Sequence, residues 1–231
     1  MRLAVIPARG GSKRIPKKNI APFCGKPMIA YALDAVADSG MFDKIHVSTD
    51  SEEIRDVVEK LGFPVDFMRD PTLADDYTGL VPVLRWVVEQ YRIRGESFEQ
   101  ICCVMPTAPL IRSKDFVEAF KIFNRHHAQH PLLVVARFPV PIEWAFERAK
   151  GGVLKPLQQG MLAIRSQDLS PKYHDTGSFS IFSMNDILSS VGVGNNFNFV
   201  GYVLPKYKAI DIDTLDAVSY THLTLPTNRE V

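Results

Sequence analysis

Five cations crowd into ten residues near the start of the chain: Arg9, Lys13, Arg14, Lys17 and Lys18, in "ARGGSKRIPKKN". Gly10 and Gly11 sit among them, and both permit close approach of a ligand to the main chain. Backbone N–H groups in such a turn form an anion cradle. With the side chains, that combination suits a polyphosphate. The pattern is neither the P-loop GxxxxGK[ST] nor the dinucleotide loop GxGxxG. A solvated basic loop is the plain alternative. A nucleic-acid contact is less suited, because no aromatic platform accompanies the charges. A second feature stands two hundred residues later: Asp211 and Asp213, two apart in "DIDT". On a strand they share one face, and paired carboxylates suit Mg²⁺, which takes one or two of them together with phosphate oxygens. By spacing alone a capping or solvated role fits equally well.

The elements that must carry these groups alternate in type. "RLAVIPA" is a short continuous apolar run, as in a strand buried on both faces. "MIAYALDAVADSG" has helical spacing and a glycine stop. "KIHVSTD" is predicted as a strand. The helix "SEEIRDVVEKLG" follows, with Ser51 at its N-cap and Glu52 and Glu53 in its first turn. "VDFMR" is predicted as a third strand, "LVPVLRWVVEQYRIRG" as a helix, "QICCVMP" as a strand, and "SKDFVEAFKIFNRHH" as a helix. Repeated alternation predicts an α/β fold, a doubly wound, mostly parallel sheet of Rossmann-like type. Ligands then bind beyond the carboxyl ends of strands, where 7–19, 48–50, 69–79 and 106–112 fall. After "LLVVARF" the texture changes, and 139–175 reads as an inserted arm with β-rich character. "GSFSIFSMNDIL", "FNFVGYVLP" and "KAIDID" return to the first pattern. A single domain over 1–217 is expected, with an atypical tail over 218–231 where Pro226 would break a helix.

Composition narrows the class. With 27 basic and 26 acidic residues the net charge is +1, which disfavours a general nucleic-acid binder. Cys24, Cys102 and Cys103 form no CxxC pair, so neither zinc nor a disulfide framework is expected. No run approaches the ~20 apolar residues of a membrane span, and Pro7 and Arg9 interrupt the first apolar segment. A cytoplasmic protein with no nucleic-acid or membrane partner is expected.

The segment "IPARGGSKRIPKKN" resembles the N-terminal motif of the cytidylyltransferases that activate acidic sugars, the CMP-sialic acid synthetase group. "GKPMIAYAL", "VSTDSEEI", "LADDYTG" and "DIDT" are similar to that family's later motifs, in the same order across about residues 1–216. "FPVPIEWAF" and "RSQDLSPKYHDTGSF" look more like the pseudaminic acid branch than the N-acetylneuraminate branch. The resemblance implies transfer of CMP from CTP to an acidic nine-carbon sugar, with release of pyrophosphate. It puts Ala8, Arg9, Gly10, Gly11, Ser12, Asn19, Arg69 and Asp76 around the nucleotide. Arg9, Lys13 and Lys18 would stabilise charge growing on the phosphates. Asp211 and Asp213 would hold Mg²⁺. Met105, where the family carries Gln, and Thr107 would face the sugar. Arg165 is the candidate for the sugar's carboxylate, with Gln167, Tyr173, His174 and Asp175 lining its pocket. The family pairs subunits through its arm, so a homodimer is expected. Two other enzyme substrates, N-acetylneuraminate or another ulosonic acid, and a CTP-binding module without turnover stand as alternatives.

Overall fold

The computed structural model describes residues 1–12, 15–126, 128–189 and 198–209. Among these, one mixed sheet runs in the order β10-β6-β9-β5-β1-β4. Its strands are β1 (Arg2–Pro7), β4 (Lys44–Ser48), β5 (Gln100–Val104), β6 (Leu132–Arg137), β9 (Tyr173–Ser183) and β10 (Val200–Val203). β9 is antiparallel to both neighbours, and the other pairings are parallel. The helices are α1 (Met28–Ala37), α2 (Glu52–Lys60), α3 (Leu80–Ile93), α4 (Ser113–Arg125) and α5 (Met184–Ser189). Small hairpins pair β2 (Pro22–Phe23) with β3 (Lys26–Pro27), and β7 (Phe146–Arg148) with β8 (Leu154–Pro156).

The buried strands read as unbroken apolar runs because alternate residues enter two different cores. Ala4, Ile6, Cys102 and Val104 pack with α1, α2 and α4 through Leu33, Val58, Phe116 and Phe120. Leu3, Val5, Ile101 and Cys103 pack on the opposite face with α3 and α5 through Leu84, Val87, Tyr91 and Ile187. A sheet with helices on both faces presents its free strand ends along its edges, and the carboxyl ends of β1, β4 and β5 lie on one such edge. Both strand cysteines are buried, and burial pushes the Cys103 thiol up to about 12.

"VDFMR" does not join the sheet. Residues 64–70 run as irregular chain beside β4. The apolar side chain serves packing instead, since Phe67 stacks on His46 with ring centroids 4.3 Å apart. The backbone returns to β4 through Arg69 N, which donates to the Thr49 carbonyl at 2.7 Å. Residues 139–175 contain the short β7–β8 hairpin together with three single-turn helices, Ile142–Trp144, Met161–Ala163 and Ser166–Asp168.

His46 is fully buried on β4, with neither ring nitrogen hydrogen-bonded among the described residues. Burial pushes its pKa down to about 3, against opposition from Asp66 and with help from Arg69, Lys44 and Arg94. The native ring is therefore neutral, whereas an unfolded histidine binds a proton below about 6.5. Stability must fall as pH drops from about 6.5 towards 3. The His46→Leu variant should lose less melting temperature than wild type between pH 7.5 and pH 5, measured by thermal scans at each pH. An equal loss would contradict this assignment.

Candidate active site

β1 ends at Pro7, and Ala8 continues its alignment by donating its N–H to the Ser48 carbonyl at 2.9 Å. The glycine loop then turns beneath the start of α2. The Gly10 N–H donates to Asp50 Oδ1 at 3.0 Å. A β-carbon at Gly10 would stand 3.0 Å from the Ser51 Cβ, so any larger residue there would crowd the start of α2. The Gly10 amide is thus engaged by Asp50, and the Ser12 amide returns to the Gly10 carbonyl at 3.0 Å. Gly10 shapes the loop by close packing, whereas Gly11 has open space where a β-carbon would stand, and the ligand-facing charge comes from side chains.

The loop is pinned from below by Asn19. That residue is buried and its Nδ2 donates to the Arg9 carbonyl at 3.0 Å. Ile15 anchors the far side against Phe23 and Met28. Lys17, in the left-handed region with φ 53°, turns outward and pairs with Glu53 at 2.6 Å. Lys18 turns inward. It lines a cavity of about 350 Å³ with Pro7, Arg9, Ser12, Asn19, Asp76, Met105, Pro106 and Thr107. Lys13 and Arg14 lie outside the described residues.

A second cavity of about 240 Å³ adjoins the first and is lined by Arg69, Leu73, Thr78, Gly79, Leu80 and Val83, among others. Arg69 is buried, its Nε donating to Ser48 Oγ at 3.0 Å and its Nη2 to the Ser48 carbonyl at 2.6 Å. Burial lowers its pKa and nearby Asp50 opposes the shift, yet arginine keeps its proton under all protein conditions. Arg69 is thus a fixed cation in the floor of the cleft. Asp76 faces Arg9 across the cleft, Nη1 to Oδ1 2.8 Å.

The wall opposite the glycine loop comes from β5. The Met105 N–H donates to the Ser178 carbonyl at 2.8 Å, and Thr107 is buried behind it. The expected nucleotide residues Ala8 to Ser12, Asn19, Arg69 and Asp76 therefore gather at one strand edge with Met105 and Thr107. The other expected sugar-side residues do not line either of these two cavities. Val104 pairs with Phe179, whereas Arg137 pairs with Tyr173. Between Ser180 and Tyr173 β9 runs beside only Leu133 to Arg137 of β6, so three of its residues are taken up by an irregularity and Tyr173 stands roughly 13 Å beyond Ser180. Thr176 makes this possible: β6 shifts register between Leu133 and Val135, and the Thr176 hydroxyl donates to the Val134 carbonyl there at 3.0 Å. Along this projection His174 Nδ1 contacts the Asp175 carbonyl at 2.8 Å, and Asp175 Oδ1 accepts the Gly177 N–H at 2.8 Å. Gln167 lines a separate cavity of about 400 Å³ at the base of the arm, with Arg137, Lys172 and Lys206. Arg165 is exposed on the arm and pairs with Asp168 at 2.9 Å.

Two positioning residues escaped sequence reading. Asp50 holds the glycine loop, and its place in "VSTDSEEI" was the available signal. Asp115 receives the Arg112 N–H at 2.8 Å, the Tyr202 hydroxyl at 3.0 Å and Lys208 Nζ at 2.6 Å. It thereby ties the start of α4 to the 206–208 turn. Asp211 and Asp213 lie outside the described residues, and among the described ones no group of three or more His, Cys, Asp or Glu is arranged to hold a metal.

The chemistry available to this cleft is the binding and stabilisation of phosphate oxygens by fixed cations. Residues 3–141 match the sequence profile of the cytidylyltransferase family. Over 228 residues the chain is 34% identical to the pseudaminic acid cytidylyltransferase of Campylobacter jejuni, covering 99% of this chain and 97% of that protein. It is 30% identical over 218 residues to an N-acylneuraminate cytidylyltransferase of Streptococcus agalactiae, covering 93% of this chain and 51% of that protein. A solved CMP:2-keto-3-deoxy-manno-octonic acid synthetase complexed with CTP shares the fold, with a TM-score of 0.68 at 16% identity and coverage of 96% and 97%. The profile match over 3–141 and the full-length likeness, joined to this cationic cleft, make the chain a member of the cytidylyltransferase family.

Proposed function

We propose that the chain transfers CMP from CTP to an acidic nine-carbon sugar, pseudaminic acid, and releases pyrophosphate. The observation that carries the reaction is the convergence of Arg9, Lys18 and Arg69 on one cleft at the carboxyl ends of β1 and β5. The full-length likeness to the Campylobacter jejuni enzyme carries the sugar.

The cavity between Arg69 and α3 suits a pyrimidine base, with Leu80 and Val83 as apolar walls and Arg69 as a donor beneath. The triphosphate then lies towards Arg9, Ser12 and Lys18. The sugar's anomeric hydroxyl attacks the α-phosphorus, the bond to the bridging oxygen breaks, and pyrophosphate departs with that oxygen. Arg9 and Lys18 neutralise the charge that grows on the departing phosphates. Asn19 fixes Arg9 from behind through its carbonyl and so sets where that charge stands. Asp211 and Asp213 offer the hard carboxylate oxygens that Mg²⁺ prefers, and the ion when bound supplies further neutralisation at phosphate oxygens. Met105 and Thr107 form the wall nearest the sugar's reacting end.

A homodimer belongs to this reading. The arm exposes Val140, Ile142, Phe146, Leu154, Leu157 and Leu162, an apolar set that a second copy would cover. The need for CTP puts the reaction in the cytoplasm. A panel assay tests the substrate: with CTP and Mg²⁺, pyrophosphate release is measured against pseudaminic acid, N-acetylneuraminate and other ulosonic acids. Pseudaminic acid should give the highest kcat/KM. A preference for N-acetylneuraminate would overturn the sugar assignment while leaving the reaction class intact.

A further inference from the structure

The two cavities of the cleft share Pro7, Arg9, Asp76 and Met105 as walls. Between them runs the Arg9–Asp76 ion pair. Arg9 Nη1 donates to Asp76 Oδ1 at 2.8 Å and to the Asp75 carbonyl at 2.6 Å. Ser12, Lys18 and Asn19 stand on one side of this partition, and Arg69 and Leu80 on the other. Both ends of the pair are held. The Asp75 carboxylate accepts the N–H groups of Tyr77 and Thr78 at 2.9 and 2.6 Å, which fixes the turn presenting Asp76. Those bonds, Thr78's amide first, hold the Asp75 carboxyl below the usual range. Asn19 fixes the Arg9 backbone.

A nucleoside triphosphate with its base near Arg69 and its phosphates near Lys18 has to pass through this partition. Its phosphate oxygens seek the same guanidinium that Asp76 occupies. Carboxylate and phosphate are interchangeable acceptors for an arginine fork, but the two repel one another when both crowd one cation. The pair is about one-third exposed at each end, so its opening is cheap.

We propose that Asp76 is an internal stand-in for a substrate phosphate: before nucleotide arrives it holds Arg9 across the middle of the cleft, and the nucleotide exchanges that carboxylate for a phosphate oxygen, joining the two cavities. This rests on the CTP-dependent reading above and adds a role for the loop of "LADDYTG". Asp76 tempers CTP affinity and keeps Arg9 oriented, so it is a positioning residue that tunes nucleotide recognition.

The test compares wild type with Asp76→Asn and Asp76→Ser by isothermal titration calorimetry, with CTP, pyrophosphate and cytidine as separate probes, in Mg²⁺ and without sugar. Circular dichroism melts confirm that each variant folds. Both variants should bind CTP and pyrophosphate about three- to fivefold more tightly, the scale of one exposed ion pair. Cytidine, which lacks phosphates, should bind with unchanged affinity. Unchanged or weaker CTP binding by the variants would overturn the stand-in role, and weaker cytidine binding would assign Asp76 to the ribose instead. Wild type that binds no CTP would sink both this proposal and the reading it rests on.

Discussion

The Asp213→Ala variant is expected to lose about 10³-fold in kcat, with its fold and its binding of cytidine intact. CTP brings about four negative charges into a cleft whose described cations are Arg9, Lys18 and Arg69. Arg69 is committed to the Ser48 hydroxyl and carbonyl, which fixes it as a floor and leaves Arg9 and Lys18 as the side chains facing the phosphates. Among the described residues, two such side-chain cations fall short of the charge on a leaving pyrophosphate. A pair of carboxylates at i and i+2 is the donor set that brings a hard divalent cation to make up the difference. Alanine at 213 removes half of that set. A second readout separates metal binding from turnover: Mn²⁺ binding, followed by electron paramagnetic resonance without sugar, should weaken in the same variant. Full activity at unchanged Mg²⁺ dependence would contradict the metal role of Asp213.

The Lys208→Met variant is expected to lose about 3 kcal/mol of stability. Lys208 and Asp115 are both buried and meet at 2.6 Å across 93 residues of sequence. Methionine keeps the volume of the lysine stem but strands the Asp115 charge. The loss falls at the lower end for a broken buried pair, because Asp115 still accepts the Arg112 N–H and the Tyr202 hydroxyl. For a chain of this size that corresponds to about 6–12 °C in melting temperature. The double variant Lys208→Met with Asp115→Asn should recover part of the loss, since a neutral amide oxygen still accepts from Tyr202. A single-variant melting temperature equal to wild type would contradict a structural ion pair here.

The repeating strand and helix order was legible because each buried strand carries an unbroken apolar run and each helix its own period and stop. β1 and its glycine loop were legible for the same reason: an apolar run followed by two glycines and five cations has few structural uses. "VDFMR" misled because its apolar residues pack sideways on His46, and a packing role leaves the same composition as a ladder role. The length of β9 was hidden too. "YHDTGSF" has no strand period, and only the register shift at Leu133 and Val135, with Thr176 filling it, lets the strand continue outward. That projection is why Tyr173, His174 and Asp175 stand apart from the cleft that holds Met105 and Thr107. The clamps on the loop were illegible for a different reason. Asp50 to Gly10 and Asp115 to Lys208 are long-range pairs with no local pattern, fixed only when the sheet brings their segments together.

The most direct measurement of the proposed reaction is ³¹P nuclear magnetic resonance of a mixture of the protein, CTP, Mg²⁺ and pseudaminic acid. The three CTP signals should give way to one phosphodiester signal and one pyrophosphate signal in equal molar amount, and Arg9→Ala should slow the exchange by about 10²-fold. CTP left unchanged, or converted to CDP and inorganic phosphate, would contradict CMP transfer by this cleft.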